Sequence, residues 1–102
     1  MKTYFACISE SEATQDEFDK RVPQLMDWLN LLKKQNMLKA CGGCDDKKIG
    51  GITIIETNTI EEANEIFKTY PMNDIGTTNI IPWQVYDSNL IVNGSWDGWW
   101  KK

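Results

Sequence analysis

The sequence predicts a single α+β domain in which four strands and two helices follow in the order βαββαβ. Three observations support this fold. The 102 residues divide into two similar strand–helix–strand units, both helix starts carry the same capping pattern, and three strand segments are apolar on both faces. Two such units interleave as a ferredoxin-like sandwich, in which an antiparallel four-stranded sheet carries both helices on one face.

The first unit begins with a strand over residues 4–8, whose alternating side chains are apolar on both faces. Residues 14–17 read Thr-Gln-Asp-Glu, a capping box that predicts a helix start. Apolar residues then recur at four- and three-residue spacing over residues 18–32, which predicts a long helix ending near Met37. Pro23 interrupts it, so we expect a kink or a restart, with residues 19–22 as an irregular turn. A short, weak strand over residues 39–46 completes the unit.

The second unit begins with a strand in which Ile52 and Ile54 alternate with Thr53 and Ile55, typical of a central strand covered on both sides. Residues 59–62 form a second capping box and start a helix. Its apolar face is formed by residues 60, 63, 67 and 70, and Pro71 ends it because helical geometry is disfavoured before proline. A polar loop then leads to a last strand over residues 80–85.

Two helices can cover only one face of this sheet, although three strands are apolar on both. A second subunit in a closed two-fold arrangement is the simplest cover for the other face, so we expect a homodimer. Residues 88–102 contain Trp96, Trp99 and Trp100 and are too apolar for a free end. We therefore divide the chain into a domain of residues 1–87 and a C-terminal appendage of residues 88–102, which packs on the sheet or on the partner.

The composition argues against several partners. The formal charge is −4, whereas binding to nucleic acid or anionic lipid needs clustered Lys and Arg. No segment approaches the roughly 20 apolar residues that cross a bilayer. The N-terminal apolar run is too short for a signal peptide, and an odd number of cysteines is more easily kept reduced. We therefore expect a cytoplasmic protein that binds neither nucleic acid nor membranes.

The chain contains no histidine, which removes the commonest general base, the Ser-His and Cys-His pairs and the usual zinc and iron ligand sets. Cys41 and Cys44 form a C-x-x-C, but only Cys7 remains as a further soft ligand, and the pair follows a helix instead of preceding one. Small residues in a tight loop are the favoured interpretation over redox or zinc chemistry. The sequence identifies no catalytic residue, metal site or cofactor.

Five tryptophans are more than a small core needs, and an indole prefers a position where its N–H finds a partner. Trp28 and Trp83 are candidates for the lining of a cleft, with plain core packing as the alternative. The other three lie in the C-terminal appendage and are assigned to an interface or to a flap over the sheet.

Several short motifs carry a family resemblance over about residues 2–87. They are the long helix with Arg21 and LMDWL at 25–29, the strand GGITIIE at 50–56, the helix start EEA at 61–63, the loop with Pro71 and the strand with Pro82. In these motifs the chain resembles the YCII-related family of the dimeric α+β barrel superfamily. The resemblance implies dimers whose sheets face one another, with a small-molecule cleft between sheet and helices.

The resemblance also implies a difference in chemistry. Many family members look like enzymes built around a histidine near the start of the long helix and an aspartate directly before the proline of the late loop. The best-aligned positions here hold Gln24 and Tyr70, so the proton-transfer pair is absent. Both side chains still donate and accept hydrogen bonds. We expect the cleft to be lined by Tyr4, Gln24, Trp28, Tyr70 and Trp83.

Two functions of different classes follow from these observations. In the first, the chain is a small-molecule-binding domain that has lost its family's chemistry, because a pocket without a tuned acid or base lacks the usual source of rate. In the second, it is a histidine-independent isomerase, lyase or cofactor-free oxygenase that uses confinement, Tyr or Gln hydrogen bonds and Cys7. A purely structural dimerisation protein is a third, smaller alternative.

Overall fold

The computed structural model describes residues 3–44 and 49–84. Its elements are β1 (Thr3–Ser11), α1 (Gln15–Asp19), α2 (Val22–Lys34), β2 (Leu38–Gly43), β3 (Ile49–Thr57), α3 (Ile60–Phe67) and β4 (Gly76–Trp83). The predicted order is confirmed, with the first helix divided into α1 and α2. The predicted appendage of residues 88–102 lies outside the described residues, as does the end of the predicted last strand at Val85.

The four strands form one antiparallel sheet in the order β2-β3-β1-β4. β1 and β3 are therefore central, and β2 and β4 are edge strands. Cys7 of β1 lies opposite Thr53 of β3, and Thr53 lies opposite Cys41 of β2. This strand order is that of the predicted ferredoxin-like fold.

Both predicted helix starts are confirmed by their capping geometry. The Thr14 hydroxyl accepts from the Glu17 amide at 3.2 Å before α1, and the Thr59 hydroxyl accepts from the Glu62 amide at 3.2 Å before α3. Each threonine thus satisfies an amide that has no partner inside its helix.

Pro23 causes a restart rather than a kink. The chain leaves α1 after Asp19 and begins α2 at Val22, which places Pro23 in the first turn of the new helix. A proline there removes no helical hydrogen bond, and its fixed φ suits the helix. The helix ends at Lys34, earlier than the predicted end near Met37, because Asn36 adopts a left-handed φ of 60° and turns the chain into β2.

Other predicted boundaries also need correction. β1 continues to Ser11 instead of ending at residue 8, and α3 ends at Phe67, before the predicted end at residue 71. β2 ends at Gly43 instead of residue 46, and β4 begins at Gly76 instead of residue 80. The first residues of β4 are polar, as is common on an edge strand. They nevertheless pair with β1, and Gly76 lies opposite Ser11. A Cβ atom at Gly76 would collide with the Glu10 carbonyl oxygen, so this first position of β4 requires glycine.

All helices that contribute to the core pack on one face of the sheet. Phe5, Cys7 and Ile55 are its largest fully buried side chains, and they meet residues of α2 and α3 in one cluster. The opposite face, called here the open face, includes the exposed side chains of Ile52 and Ile81. No helix among the described residues is long and apolar enough to span a membrane.

Candidate functional site

A cleft of about 280 Å³ lies between the sheet and the first two helices. Its helical wall consists of apolar side chains from α1 and α2, namely Phe18, Val22, Leu25, Met26 and Leu29. Its floor is formed by β2 and β3 through Cys41, Gly42, Gly43, Gly50, Gly51 and Thr53. Tyr70, which follows α3, completes the lining.

The glycines of the floor create much of this space. Gly43 lies opposite Gly51 in the sheet, two residues along each strand from the Cys41–Thr53 pair that faces the helices. Any other residue at these two positions would project a side chain into the cleft, whereas Gly43 and Gly51 leave that space empty. A Cβ atom at Gly43 would have the Gly50 carbonyl oxygen as its nearest neighbour, at 3.9 Å. A Cβ atom at Gly51 would lie only 3.0 Å from the Gly42 carbonyl oxygen. Gly43 can therefore accept a side chain, and Gly51 tolerates one poorly.

The Tyr70 hydroxyl is a polar group within a mainly apolar lining. Burial raises the pKa of Tyr70, while its hydrogen bond with Ser9 acts in the opposite direction, and the nearby Cys7 and Cys41 raise the pKa further. A tyrosine phenol is protonated at neutral pH, and the raised pKa makes its deprotonation still less favourable. Tyr70 is therefore available as a neutral hydrogen-bond donor rather than as a base.

An aromatic cluster fixes the position of Tyr70. Its ring lies 5.0 Å from Trp28 and 5.1 Å from Phe67, measured between ring centroids. The Trp28 indole N–H donates to the Thr69 hydroxyl at 3.0 Å, which in turn donates to the Ile66 carbonyl oxygen at 3.0 Å. The end of α3 is thereby joined to α2 directly behind the cleft.

An ion pair joins the α1–α2 turn to the loop before β4. The Arg21 guanidinium donates to both carboxylate oxygens of Asp74, through Nε at 3.0 and 3.2 Å, and also to the Glu17 carbonyl oxygen at 2.6 Å. Its hydrogen bonds lower the pKa of the Asp74 carboxyl. The pair is exposed, so it positions the two segments more than it stabilises the fold.

The five residues predicted to line the cleft fall into four places. Tyr70 lines it, and Trp28 packs behind Tyr70 without belonging to the lining. Gln24 is exposed on α2 and lies outside the lining. Tyr4 and Trp83 are opposite each other on the open face, where a hydrogen bond with Glu56 raises the pKa of Tyr4.

Tyr70 is the one predicted residue that lines the cleft, so sequence reasoning missed the apolar residues of the helical wall and all of the floor, which consists of Thr53, Cys41 and the glycines. A usable signal was present, because Gly42-Gly43 and Gly50-Gly51 flank the same strand connection. Alternation along both strands then places one glycine of each pair on the helix side. Two adjacent positions without side chains beneath an amphipathic helix indicate a space that no residue fills.

The surroundings of Cys41 do not favour a reactive thiolate. Cys7, Cys41 and Cys44 are all free, and burial raises the pKa of the Cys41 thiol, opposite to the shift of a reactive thiolate. Cys41 was predicted to lie in a tight loop, but it belongs to β2 and to the cleft floor. The described residues contain no group of three or more side chains that could hold a metal ion.

Comparisons with known proteins agree with this architecture. Among solved structures, the chain is similar to the 5-chloro-2-hydroxyhydroquinone dehydrochlorinase TftG from Burkholderia phenoliruptrix AC1100, in complex with 2,5-dihydroxybenzoquinone. The TM-score is 0.65 at 17% sequence identity, over 79% of this chain and 93% of that one, which shows a shared fold. Comparison with curated proteins gave no match. The model of the YCII-related domain matches residues 2–84, and the chain therefore belongs to the YCII-related domain family.

Proposed function

We propose that this chain is a small-molecule-binding domain and that its ligand occupies the cleft between α1, α2 and the β2–β3 floor. The cleft itself is the observation that carries the proposal, since its 280 Å³ remain unfilled after Trp28 and Tyr70 have packed. The chain has no histidine, so a His-Asp pair cannot supply proton transfer. The residues that line the cleft are therefore better suited to binding a ligand than to proton transfer.

The dimensions of the cleft limit the ligand to a compact molecule. Sites for small molecules usually measure about 300–1,000 Å³, so this cleft is near the lower limit and suits a ligand of one or two rings. TftG, which shares the fold, is in complex with 2,5-dihydroxybenzoquinone, a single-ring compound. This likeness supports a ligand of similar size here.

Filling the cleft floor tests the proposal. The Gly43→Val variant places three carbons where glycine leaves room, with the nearest atom 3.9 Å from the new Cβ. We expect the variant to fold and to bind the probe 2-naphthol at least about tenfold more weakly, which corresponds to about 1.4 kcal/mol. Isothermal titration calorimetry of both proteins measures the difference.

Ala40→Val is the control for this experiment. Ala40 lies on the same strand opposite Ile54 of β3, so its side chain projects to the open face, and it is not among the residues that line the cleft. The control should retain the affinity of the unmodified protein. Equal binding by the Gly43→Val variant would contradict a ligand in this cleft, and absence of binding by every protein would favour a structural role.

We also propose that the protein is a cytoplasmic homodimer whose two sheets meet at the open face. Tyr4, Ile52, Ile81 and Trp83 are apolar or aromatic side chains on this face, and three of them are among the exposed large hydrophobic residues. Large apolar side chains exposed together on one face of a sheet are typical of an interface. The free thiols suit a reducing compartment, and residues 88–102 remain a proposed appendage to this interface.

Charge on the open face should separate the subunits. Ile81→Glu introduces a carboxylate at a side chain that is 47% exposed, whereas Leu31→Glu does the same at a 54% exposed position on α2. We expect sedimentation velocity to show a dimer for the unmodified chain and for Leu31→Glu, and a monomer for Ile81→Glu. A monomeric unmodified protein, or three identical profiles, would contradict the proposed interface.

A histidine-independent enzyme is the second candidate function. The observation that favours it is Tyr70, a protonated phenol held in a desolvated cleft. Such a donor can stabilise charge that develops on a ligand oxygen, as an isomerase, lyase or cofactor-free oxygenase requires. Chromatography of a bound molecule after incubation with the protein distinguishes the two functions: an enzyme converts the molecule to a product, whereas a binding domain leaves it unchanged.

A further inference from the structure

Thr53 is an unusual residue in the floor of the cleft. It lies in the middle of β3, between Cys7 and Cys41 on the neighbouring strands, and its side chain faces the helices. Only 6% of the residue is exposed. Its hydroxyl makes no hydrogen bond to another described residue, although a buried hydroxyl normally has a partner.

The missing partner indicates where the hydroxyl points. Among the described residues, every fully enclosed side-chain oxygen or nitrogen has a hydrogen-bond partner. The Thr53 hydroxyl is therefore not fully enclosed, and the cleft is the space that Thr53 lines. An unsatisfied hydroxyl at this depth costs stability unless another group bonds to it.

Charge is absent from the same lining. Among the lining residues that the structure describes there is no Asp, Glu, Lys or Arg. An anionic or cationic ligand would lose its hydration without gaining an opposite charge. Burial raises the pKa of Tyr70, which reflects the same preference of this environment for neutral groups.

We propose that the ligand is an uncharged, largely apolar ring compound and that one of its hydroxyl or carbonyl groups hydrogen-bonds to Thr53. This inference rests on the proposed binding function and narrows it to a chemical class. Thr53 is thereby a specificity-determining residue, because its hydroxyl both donates and accepts while the rest of the floor supplies mainly glycine backbone and the Cys41 thiol.

Removing the hydroxyl without changing the shape tests this role. Thr53→Val should bind 2-naphthol about tenfold more weakly, the usual effect of one lost hydrogen bond to a neutral partner. The unmodified protein should bind 2-naphthoate, the anionic counterpart, at least about tenfold more weakly than 2-naphthol. Calorimetric titrations with both probes give these ratios.

Thr57→Val is the matched control, since Thr57 lies on the same strand and the same face and is 3% exposed. Its hydroxyl donates to the Thr59 carbonyl oxygen at 2.8 Å, so it already has a partner. We expect Thr57→Val to lower the melting temperature by about 4–8 °C and to retain 2-naphthol affinity. Thr53→Val should retain or raise the melting temperature.

The outcomes separate this inference from the proposed function. If Gly43→Val weakens binding of 2-naphthol but Thr53→Val does not, the cleft binds ligands and the role of Thr53 is wrong. Equal affinity for 2-naphthoate would overturn the preference for neutral compounds. If Thr53→Val melts as early as Thr57→Val, its hydroxyl has an internal partner and the inference fails. If neither Gly43→Val nor Thr53→Val affects binding, the proposed function fails.

Discussion

Replacing Trp28 by alanine is expected to lower the free energy of unfolding by about 3–5 kcal/mol, the usual range for loss of a buried large aromatic side chain. Trp28 is 8% exposed and packs edge-on against Phe67, with ring centroids 5.1 Å apart. It also contacts Tyr70 and bonds to Thr69, so one side chain joins α2 to the end of α3. Urea unfolding followed by far-ultraviolet circular dichroism measures the loss.

Trp28→Phe separates packing from hydrogen bonding in this experiment. Phenylalanine keeps most of the ring contact but cannot donate to Thr69, whose own hydroxyl still donates to Ile66. We therefore expect a loss of only about 1–2 kcal/mol for this variant. Because Tyr70 rests on Trp28, the alanine variant should also bind 2-naphthol more weakly. A stability loss below about 1 kcal/mol for Trp28→Ala would contradict the central role of this cluster.

Alkaline pH is expected to destabilise the protein through Cys7. Burial raises the pKa of this thiol from 9.0 to about 12, and the residue is 0% exposed. Between these values the unfolded chain releases the proton while the folded chain retains it. The contribution of Cys7 is therefore fully present below about pH 9 and is lost as the pH rises towards 12. A shift of this size corresponds to about 4 kcal/mol at most.

Cys7→Ala isolates this contribution from other alkaline titrations. Burial also raises the pKa values of Cys41 and Tyr70, and both residues remain in the variant. We expect the variant to be less stable at pH 7, because it loses a buried sulfur, but to lose less stability between pH 8 and 11. Urea midpoints measured across this range give both curves. Parallel curves would show that the Cys7 thiol titrates alike in the folded and unfolded chains.

Most of the fold could be predicted because its signals are local. The hydroxyls of Thr14 and Thr59 accept from an amide three residues later, a spacing that the sequence displays directly. Pro23 required a break in the helix, and α2 begins one residue before it. The start of β4 was missed because Thr77, Thr78 and Asn79 are polar. Their pairing with β1 depends on a distant strand, which a local pattern cannot reveal.

The candidate site was harder to predict, for two physical reasons. Both faces of β1 and β3 are apolar, so the pattern could not tell which face the helices cover. Tyr4 was expected in the cleft but lies opposite Trp83 on the open face. The cleft itself arises from residues that contribute no side chain, Gly43 and Gly51 among them. Reasoning from side chains alone overlooks a space of this origin.

The alternation along β3 divides its positions into two independent sets. Gly51, Thr53 and Ile55 face the helices, and Ile52 and Ile54 face the open side of the sheet. A substitution in the helix-facing set can alter the cleft without changing the side chains of the open face, where we place the second subunit. A substitution in the open-face set can alter that surface without changing the side chains of the cleft. Insertion of one residue into β3 would exchange the two sets. A single codon added to this strand would therefore change both surfaces at once, whereas two added codons would restore the original alternation.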